Sequence, residues 1–396
     1  MSTDLVVVGL DGGPLPPGAA EVIAQAEVVA GGRRHLDAVA IPAGAERVEL
    51  GAVGPALHRL AGRRAVVLAS GDPGFFGIVR LLRERGHAPV VLPARSSVAL
   101  LAARIGRPWD DVAVVSAHGR ALRPAVNVCR ARPATAVLTA PDAGPAEIGA
   151  ALAGWDRVLV VGEDLGGPRE RVSRVSPAEA AARAWDPLSV VLCLRDAEQV
   201  PARGWSAGGE PVPPDGGWAL PDDAVDHRAG MVTKAEVRAL VLARLAPRPG
   251  TLVWDVGAGS GSVAVECARL GAAVVAVERR ADDAARITAN ARRHGVDVRV
   301  VAGEAPDALA GLPEPDAVFV GGGGPEVVAA VAGLAPARVV VALAALDRVA
   351  PTRTALCDAG HRVDGVQLAA SRLAELPDGA VRLAAINPVL VLWGTR

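Results

Sequence analysis

The chain has 396 residues, of which 51% are hydrophobic and only 3% aromatic, with no tyrosine at all. This length exceeds what one ordinary hydrophobic core accommodates, so it predicts two or three domains. The formal net charge of −1 excludes the broad basic surface that typical nucleic-acid-binding proteins carry.

Lysine and cysteine usage restrict the kinds of site further. Lys234 is the only lysine, so arginines must bind any anionic ligand, and their planar guanidinium groups suit carboxylates. The cysteines are far apart and form no CxxC pair, which predicts neither a metal site nor a disulfide framework. The chain starts without a charged leader and contains no apolar run of the ~20 residues that span a bilayer. We therefore expect a cytoplasmic protein without a membrane segment.

In the first half, short valine-rich runs alternate with amphipathic stretches rich in alanine and arginine. The runs predict strands at 5–10, 64–70, 88–92, 112–116, 134–138 and 157–163, and the amphipathic stretches predict helices at 17–26, 76–84, 96–105 and 144–153. This alternation is typical of α/β layers with largely parallel sheets. A seam near Trp109 divides the half into predicted lobes at 1–111 and 112–205.

Residues 206–222 are rich in glycine, proline and acidic residues and lack an apolar period. We interpret them as a linker between a domain at 1–205 and a second domain at 223–396. After the linker, we predict helices at 234–245, 261–270, 281–294 and 325–334, and strands at 251–256, 273–278, 298–302, 317–320 and 338–343. The tail from Arg362 onwards indicates further strands.

The segment DVGAGSGS follows a predicted strand and opens a predicted helix. Its glycines, within Gly257–Gly261, would let backbone N–H groups approach a ligand at the helix N-terminus. The spacing fits the dinucleotide fingerprint only loosely, because Ser262 occupies the sixth position. Asp255 disfavours a pyrophosphate and suits a cationic sulfonium, and Glu278 ends the next strand, where a ribose diol would bind. These features favour S-adenosylmethionine (SAM) over a dinucleotide or a plain tight turn.

Strand–loop junctions in the first half carry further candidate ligand contacts. They are Gly9, Gly71, Asp72, Ser96, Ser97 and His118. Each polar residue also has a purely structural interpretation: the aspartate as a turn residue, the serines as helix caps and the histidine as an ordinary loop residue.

In combination these motifs resemble a known family. The first half, through VVVGLDGGP, LASGDPGFFG and LPARSSVALLAARIGRPWDDVAVVSAHGR, resembles the tetrapyrrole methylases of cobalamin biosynthesis that methylate C5 of a precorrin. The second half, through MVTKAEVRALVLARLAPRPGTLVWDVGAGSGSVAVE and DAVFVGGGG, resembles the partner enzymes that methylate C15 and decarboxylate. Joined in this order, the halves resemble the bifunctional precorrin-6Y (precorrin-6B) C5,15-methyltransferases (decarboxylating).

The resemblance implies two unrelated SAM-binding folds: an N-terminal two-lobed tetrapyrrole methylase and a C-terminal Rossmann-like methyltransferase with a seven-stranded sheet. In the first fold it places SAM between the lobes, with Asp72 as the candidate catalytic residue. The implied contacts there are Gly9, Gly71, Asp72, Phe75, Ser96 and Ser97. The implied contacts in the second fold are Thr233, Gly257, Ala258, Gly259, Ser260, Gly261, Glu278 and Ala305.

The sequence departs from the family pattern in two places. The first turn is GLDGGP, where relatives commonly have G-x-G-P-G. Ala342 and Ala345 stand where relatives usually have asparagine and threonine on the substrate side. Asp347 or Arg348 would then be the nearest polar substitutes, unless they form only an ordinary solvated helix start.

The implied function is SAM-dependent methylation of a precorrin at C5 and C15, with decarboxylation of the ring-C acetate, in cobalamin biosynthesis. The substrate would be a small tetrapyrrole with many carboxylates, which arginines at the cleft rims would bind. We expect a homo-oligomer with no nucleic-acid or membrane partner. The alternatives are a two-domain SAM methyltransferase for another small molecule, or a SAM- or tetrapyrrole-binding carrier with one inactive half. A dinucleotide oxidoreductase is disfavoured by Ser262 and Asp255.

Overall fold

A computed structural model describes residues 5–50, 58–201, 204, 206–209, 217–228 and 230–396. They fall into two compact units: one within Met1–Arg120, Ala136–Ala153 and Arg157–Arg203, and the other within Ala121–Thr135, Gly154–Asp156 and Gly204–Arg396. Two short segments of the predicted second lobe thus belong to the second unit, where Trp155 is part of the apolar core. The predicted linker lies partly outside the described residues. Among those described, no helix is long and apolar enough to cross a bilayer.

The first sheet of the first unit is parallel. Its strands are β1 (Leu5–Leu10), β2 (Val28–Gly31), β3 (Glu46–Glu49), β4 (Ala65–Ser70) and β5 (Val90–Leu92), in the order β3-β2-β4-β1-β5. Its helices are α1 (Ala19–Ala24), α2 (Arg33–Ala38), α3 (Ile78–Glu84) and α4 (Ser97–Arg104). Because the strands are parallel, the loops that follow β1, β2, β4 and β5 share one edge of the sheet.

The second sheet of this unit contains β6 (Ala113–Ser116), β7 (Ala134–Leu138), β8 (Val158–Glu163), β9 (Arg171–Val175) and β10 (Ser189–Leu194), in the order β6-β7-β10-β8-β9. The helices here are α5 (Leu122–Ala131), α6 (Pro145–Ala151) and α7 (Pro177–Ala181). The pairs β8–β10 and β8–β9 are antiparallel. Two pairings in this sheet depart from the expectation of largely parallel sheets, because β9 and β10, which were not predicted from the sequence, pair antiparallel with β8.

The second unit is built on a seven-stranded sheet, as the resemblance implied. Its order is β13-β12-β11-β14-β15-β19-β16, with β11 (Leu252–Val256), β12 (Ala273–Glu278), β13 (Arg299–Ala302), β14 (Ala317–Val320), β15 (Arg338–Leu343), β16 (Arg362–Leu368) and β19 (Val389–Thr395). The first five are parallel, and β19 is antiparallel to β15 and β16. A hairpin of β17 (Ser371–Glu375) and β18 (Val381–Ala385) lies outside it. The order changes direction between β11 and β14, where open α/β sheets bind ligands.

Helices and 3₁₀ turns cover the seven-stranded sheet on both faces. The helices are α8 (Ala235–Leu245), α9 (Ser262–Arg269), α10 (Ala281–Arg293), α11 (Pro325–Gly333) and α12 (Val349–Asp358), and the 3₁₀ turns are Asp222–Ala224, Asp307–Leu309 and Leu346–Arg348. Along β11, Leu252, Trp254 and Val256 face one apolar cluster and Val253 faces the other. The near-continuous apolar character of the parallel strands follows from this two-sided burial.

A buried ion pair anchors the chain segment that precedes α8. Arg238 on α8 donates from Nε to Glu266 Oε1 on α9 over 2.8 Å, and both side chains are fully buried. The same carboxylate accepts hydrogen bonds from the backbone N–H groups of Ala219 and Leu220, each at 2.7 Å. Arg238 also donates to the carbonyls of Leu220 and Thr233. This pair therefore holds the chain before α8 against two helices of the sheet's outer layer.

We predict that Glu266→Gln lowers the free energy of unfolding of the second unit by about 3 kcal/mol, because it leaves the buried Arg238 guanidinium with only the more distant carboxylate of Asp222, 3.8 Å away, as countercharge. The control is Glu304→Gln, which breaks the exposed Arg279–Glu304 pair, 3.3 Å apart, and should change stability by no more than about 1 kcal/mol. Urea denaturation followed by circular dichroism compares the two. Equal changes in the free energy of unfolding for both variants would show that the buried pair stabilises the protein no more than the exposed one.

Candidate active sites

The loop Gly257–Gly261 connects β11 to α9 at the point where the strand order reverses. Gly257 has a φ of +69°, and a Cβ added to it would lie 2.7 Å from Gly322 N, in the loop after β14. Gly259 has a φ of +56°, but a Cβ there would meet nothing within 4 Å. Gly257 is therefore required for backbone packing, whereas Gly259 borders open space in which a ligand can approach the backbone.

Glu278 binds this loop from the end of β12. Its Oε2 accepts a hydrogen bond from Gly259 N at 2.9 Å, and its Oε1 accepts one from Arg280 N at 3.0 Å. Only 7% of the residue is exposed. The structure thus brings Glu278 and Gly257–Gly261 together as predicted. Each carboxylate oxygen retains a free lone pair, and the ribose contact stays a prediction.

Asp255 lies buried at the end of β11, with 1% of its surface exposed. Its Oδ2 accepts a hydrogen bond from Ala264 N on α9 at 2.9 Å, while Oδ1 is buried without a partner. Burial raises the pKa of Asp255 from its ordinary value of 3.8 to about 7, and the charge of Glu278 adds to this rise. The side chain suggested by sequence as a sulfonium neighbour therefore also holds the first turn of α9.

Asn290 is a residue of this site that the sequence reading missed. It is 1% exposed and donates from Nδ2 to the carbonyls of Ser260 and Asp226, both at 2.9 Å. Its Oδ1 accepts from Asp226 N at 3.0 Å. Asn290 thus ties the glycine loop to the chain segment before α8, which includes the half-buried Thr233. An asparagine within a polar helix carries no sequence signal for such a role.

The other predicted residues of the C-terminal site occupy the surrounding loops. Ser260 is buried and its hydroxyl has no partner, so it can bind a ligand. Ala258 packs on one core cluster, and Ala305, in the loop after β13, packs on the other. Ala342 lies in β15 opposite Val391, and Ala345 is exposed just beyond it. Of the two polar substitutes considered, Arg348 reaches the site, donating to Gly323 O at 2.8 Å.

In the first unit, the predicted glycines meet at the shared edge of the first sheet. Gly71 N donates to Leu10 O at 2.7 Å, and Ala94 N donates to Gly71 O at 3.3 Å. A Cβ on Gly9 would clash with Gly71 O and lie 2.5 Å from Ala94 N. The loops after β1, β4 and β5 therefore pack backbone against backbone. Phe75, in the loop after β4, is half-buried, with its ring 5.0 Å from that of Phe76.

The polar candidates of this site also make the local bonds of their structural interpretations. Asp72 Oδ1 accepts a hydrogen bond from Gly74 N at 2.8 Å and closes a turn. Ser96 Oγ caps α4 by accepting from Ala99 N at 3.2 Å, and Ser97 begins that helix. His118 is exposed, and its carbonyl accepts a hydrogen bond from Arg120. Ligand contacts by Asp72, Ser96 and Ser97 stay predictions.

Asp11 is a second residue that the sequence reading missed. Its carboxylate accepts hydrogen bonds from Gly13 N at 2.9 Å, Arg95 Nε at 2.7 Å and Arg95 N at 3.3 Å. Burial raises its pKa, but these hydrogen bonds outweigh burial and the net pKa is lowered. A Cβ on Gly12 would clash with Gly166 O, so the loop after β8 lies directly against the first turn. The unusual turn GLDGGP is thus held by its own aspartate.

The chain is similar to known proteins of two families, one in each half. The family described as "Tetrapyrrole (Corrin/Porphyrin) Methylases" matches residues 5–181, and that described as "Precorrin methyltransferase domain" matches residues 224–376. A precorrin-6Y C(5,15)-methyltransferase [decarboxylating] from Sinorhizobium sp. is 40% identical over 339 residues, covering 81% of this chain and 78% of that protein. The chain belongs to the precorrin-6Y C5,15-methyltransferase (decarboxylating) family.

Two further relatives have a single methylation in their names. The cobalt-precorrin-7 C(5)-methyltransferase of Salmonella typhimurium is 38% identical over 183 residues, which cover 42% of this chain and 88% of that protein. A probable cobalt-precorrin-6B C(15)-methyltransferase (decarboxylating) of Pyrobaculum calidifontis is 34% identical, covering 44% of this chain and 93% of that protein. The family resemblance and the fold class expected from sequence are therefore confirmed for this precorrin methyltransferase.

We predict that Glu278→Ala weakens SAM binding by about 1–3 kcal/mol, because the variant loses both a charged acceptor and the bond that shapes the loop at Gly259. Calorimetric titration of the full chain measures it. Glu314→Ala, an exposed acid in the loop before β14 at the opposite edge of the sheet, is the matched control and should leave SAM binding unchanged. Unaltered SAM affinity in Glu278→Ala would remove Glu278 from the SAM site.

Asp255 should make the stability of this precorrin methyltransferase depend on pH. Because its folded pKa of about 7 lies above the ordinary 3.8, the folded state holds a proton that the unfolded state releases. The free energy of unfolding should therefore fall as pH rises from about 4 to about 7, by up to about 4 kcal/mol. Asp255→Asn should lack this slope.

The measurement is urea denaturation of wild type and Asp255→Asn at several pH values in the absence of ligand. The difference between them should grow up to neutral pH and then become constant. Since asparagine also introduces an amide, only the pH dependence of the difference is diagnostic. Parallel curves would show that Asp255 ionises normally in the folded protein.

Proposed function

We propose that this chain methylates a precorrin at C5 in its N-terminal unit and at C15 in its C-terminal unit, where the ring-C acetate side chain also loses its carboxyl group as CO₂ and becomes a methyl group. The observation that carries the proposal is the presence of two separate loop sites in one chain. Each lies at the carboxyl edge of a parallel array of strands, and each depends on glycine backbones in van der Waals contact. The named relatives with one methylation each support assigning one reaction to each unit.

We further propose that both sites bind SAM, and the C-terminal residues fit it well. Gly259 faces open space, the Ser260 hydroxyl is unpartnered, and Glu278 has free lone pairs beside the same loop. When bound, SAM supplies an already activated methyl group. The protein then needs only to orient the acceptor carbon and exclude water, without a nucleophilic residue of its own.

Decarboxylation places one further demand on the C-terminal site, which must hold an acetate group of the substrate. Ala342 and Ala345 offer no polar atom beyond the backbone. Arg348 takes over this role in our proposal, because its guanidinium reaches Gly323 O beside the glycine loop. From sequence alone, Asp347 and Arg348 were equally near polar candidates, unless both formed only an ordinary solvated helix start.

We also propose that the protein works in the cytoplasm as a homo-oligomer on this small-molecule substrate, without nucleic-acid or membrane partners. Exposed apolar side chains on the β17–β18 hairpin support self-association: Leu373, Val381 and Leu383 are 77%, 58% and 68% exposed. Apolar exposure of this extent on a hairpin is typical of an interaction surface.

The test is to incubate the full chain with SAM and precorrin-6B and to follow substrate mass and CO₂ release. Wild type should add two methyl groups and release CO₂. Asp72→Asn, which keeps the acceptor for Gly74 N but removes the charge, should slow C5 methylation by about tenfold or more and spare C15 methylation and CO₂ release. Glu278→Ala, the complementary variant, should slow C15 methylation and CO₂ release and spare C5 methylation.

Three outcomes would contradict parts of this proposal. Loss of both methylations in either variant would mean that the two units do not act independently. Transfer of a single methyl group by the wild type would identify a chain with one inactive half. Absence of any turnover, with SAM bound, would favour a methyltransferase for another substrate or a carrier.

A further inference from the structure

Arg34 differs from the arginines around it in having no carboxylate partner. Its neighbour Arg33 pairs with Glu49 at 3.1 Å, and Arg95 pairs with Asp11 at 2.7 Å. Among the described residues, no carboxylate oxygen lies within ion-pair distance of Arg34, whose Nη2 instead donates to Ser70 Oγ at 2.6 Å. Its guanidinium is thus held in place with its charge uncompensated by direct contact.

The acids nearest in electrostatic effect are occupied elsewhere. Burial lowers the pKa of the Arg34 guanidinium, and the fields of Asp164 and Asp186 offset this only in part. Both of these carboxylates pair with Arg169, at 3.7 Å and 2.9 Å. The group nonetheless remains a cation at any physiological pH, so its environment favours an added anion.

His35 and Ser70 orient Arg34 through a chain of hydrogen bonds. His35 Nε2 lies 3.2 Å from Ser70 Oγ. Burial, and then the charge of Arg34, lower the pKa of His35 to about 4, so the imidazole is neutral and can accept the Ser70 hydroxyl proton. The Ser70 oxygen is then left with its lone pairs for Arg34. Because His35 is neutral, Arg34 is the only charged group in this chain of hydrogen bonds, and its charge stays available for an anionic ligand.

The place of Arg34 in the fold is the edge of the N-terminal site. It lies in the first turn of α2, directly after β2, and β2 pairs with β4. Ser70 is the last residue of β4 and immediately precedes Gly71 and Asp72. The guanidinium therefore stands beside the loop that carries the candidate catalytic residue.

A second arginine without a carboxylate partner approaches the same loop from the other sheet. Arg120 follows β6, and its guanidinium lies 5.8 Å from the centre of the Phe76 ring. It donates to Ser116 Oγ at 3.1 Å and to His118 O at 3.3 Å. Within the described residues, no carboxylate is in ion-pair distance of it either. Phe76 is 44% exposed, so the ring carries this cation at an open surface.

We propose that Arg34 and Arg120 bind carboxylates of the tetrapyrrole substrate in the N-terminal site, with Ser70 and His35 as positioning residues for Arg34. The assignment rests on the proposed function for the identity of the substrate. An arginine held by neutral partners keeps N–H groups for a carboxylate, and such charge-assisted bonds are stronger than neutral ones. Arg34 and Arg120 approach the loop after β4 from the two sheets of the unit. Two cations placed in this way suit a ligand that carries several carboxylates around its rim.

The test compares Arg34→Gln and Arg120→Gln with Arg33→Gln, an adjacent arginine whose charge is already paired. In C5 methylation by the full chain, each of the first two variants should raise the KM for the tetrapyrrole by about 10- to 100-fold, the scale of a lost charge-assisted hydrogen bond. The kcat, the KM for SAM and the C15 reaction should change little. Arg34→Lys should recover only part of the loss, because lysine cannot form the planar bidentate contact.

The outcomes separate this assignment from the proposed function. Unchanged tetrapyrrole KM in both variants overturns the assignment, as does an equal rise in the KM for SAM, which would place the arginines at the cofactor. If wild type shows no C5 methylation, the proposed function fails. Titration with uroporphyrin, a stable porphyrin polycarboxylate, then decides the assignment: binding weakened in Arg34→Gln but not in Arg33→Gln supports it, and equal binding in all variants overturns it.

Discussion

Both candidate sites depend on backbones that touch where parallel strands end. At Gly9 and Gly257, a single added Cβ would collide with the loop that follows a neighbouring strand. Glycine is therefore required for packing, and the packing in turn brings the loops of neighbouring strands together at one sheet edge. These contacts place the loop at Gly71 and the loop Gly257–Gly261, the two loops around which the candidate sites are built. The two units arrive at this solution on sheets of different strand order.

Charge is managed differently at the two edges. In the C-terminal site, Asp255 and Glu278 bring two carboxylates near one loop, and burial keeps a proton on the first around neutral pH. In the N-terminal site, Asp11 is neutralised by Arg95 and backbone N–H groups, while Arg34 is left without a countercharge. The Glu278 carboxylate beside a glycine loop suits a ligand with hydroxyl groups. Arginines held by neutral groups suit a polycarboxylate.

The family resemblance was visible in sequence because it rests on local motifs. The turn Gly257–Gly261, the acid at Glu278 and the loop Gly71–Asp72 each consist of residues close together in the chain, and the structure places all of them at sheet edges. The strands β9 and β10, and the helix α2 with its neighbouring strands, are not predicted by the sequence pattern. The strand β3, with the sequence ERVE, has too few apolar residues for a periodic signal. Because β9 and β10 are missing from the sequence prediction, the antiparallel part of the second sheet could not be predicted either.

Sequence alone determined the α/β class, the two glycine loops and the family, because hydrophobic period and turn chemistry are properties of neighbouring residues. Tertiary structure alone decided which polar groups meet. Asn290 reaches Ser260 across 30 positions, Asp11 reaches Arg95 across 84, and Ser70 meets Arg34 across 36. Such pairs arise only when strands align and bring distant loops to a common edge. For the same reason, a chain with dozens of similar arginines showed which of them lacked a carboxylate partner only once it was folded.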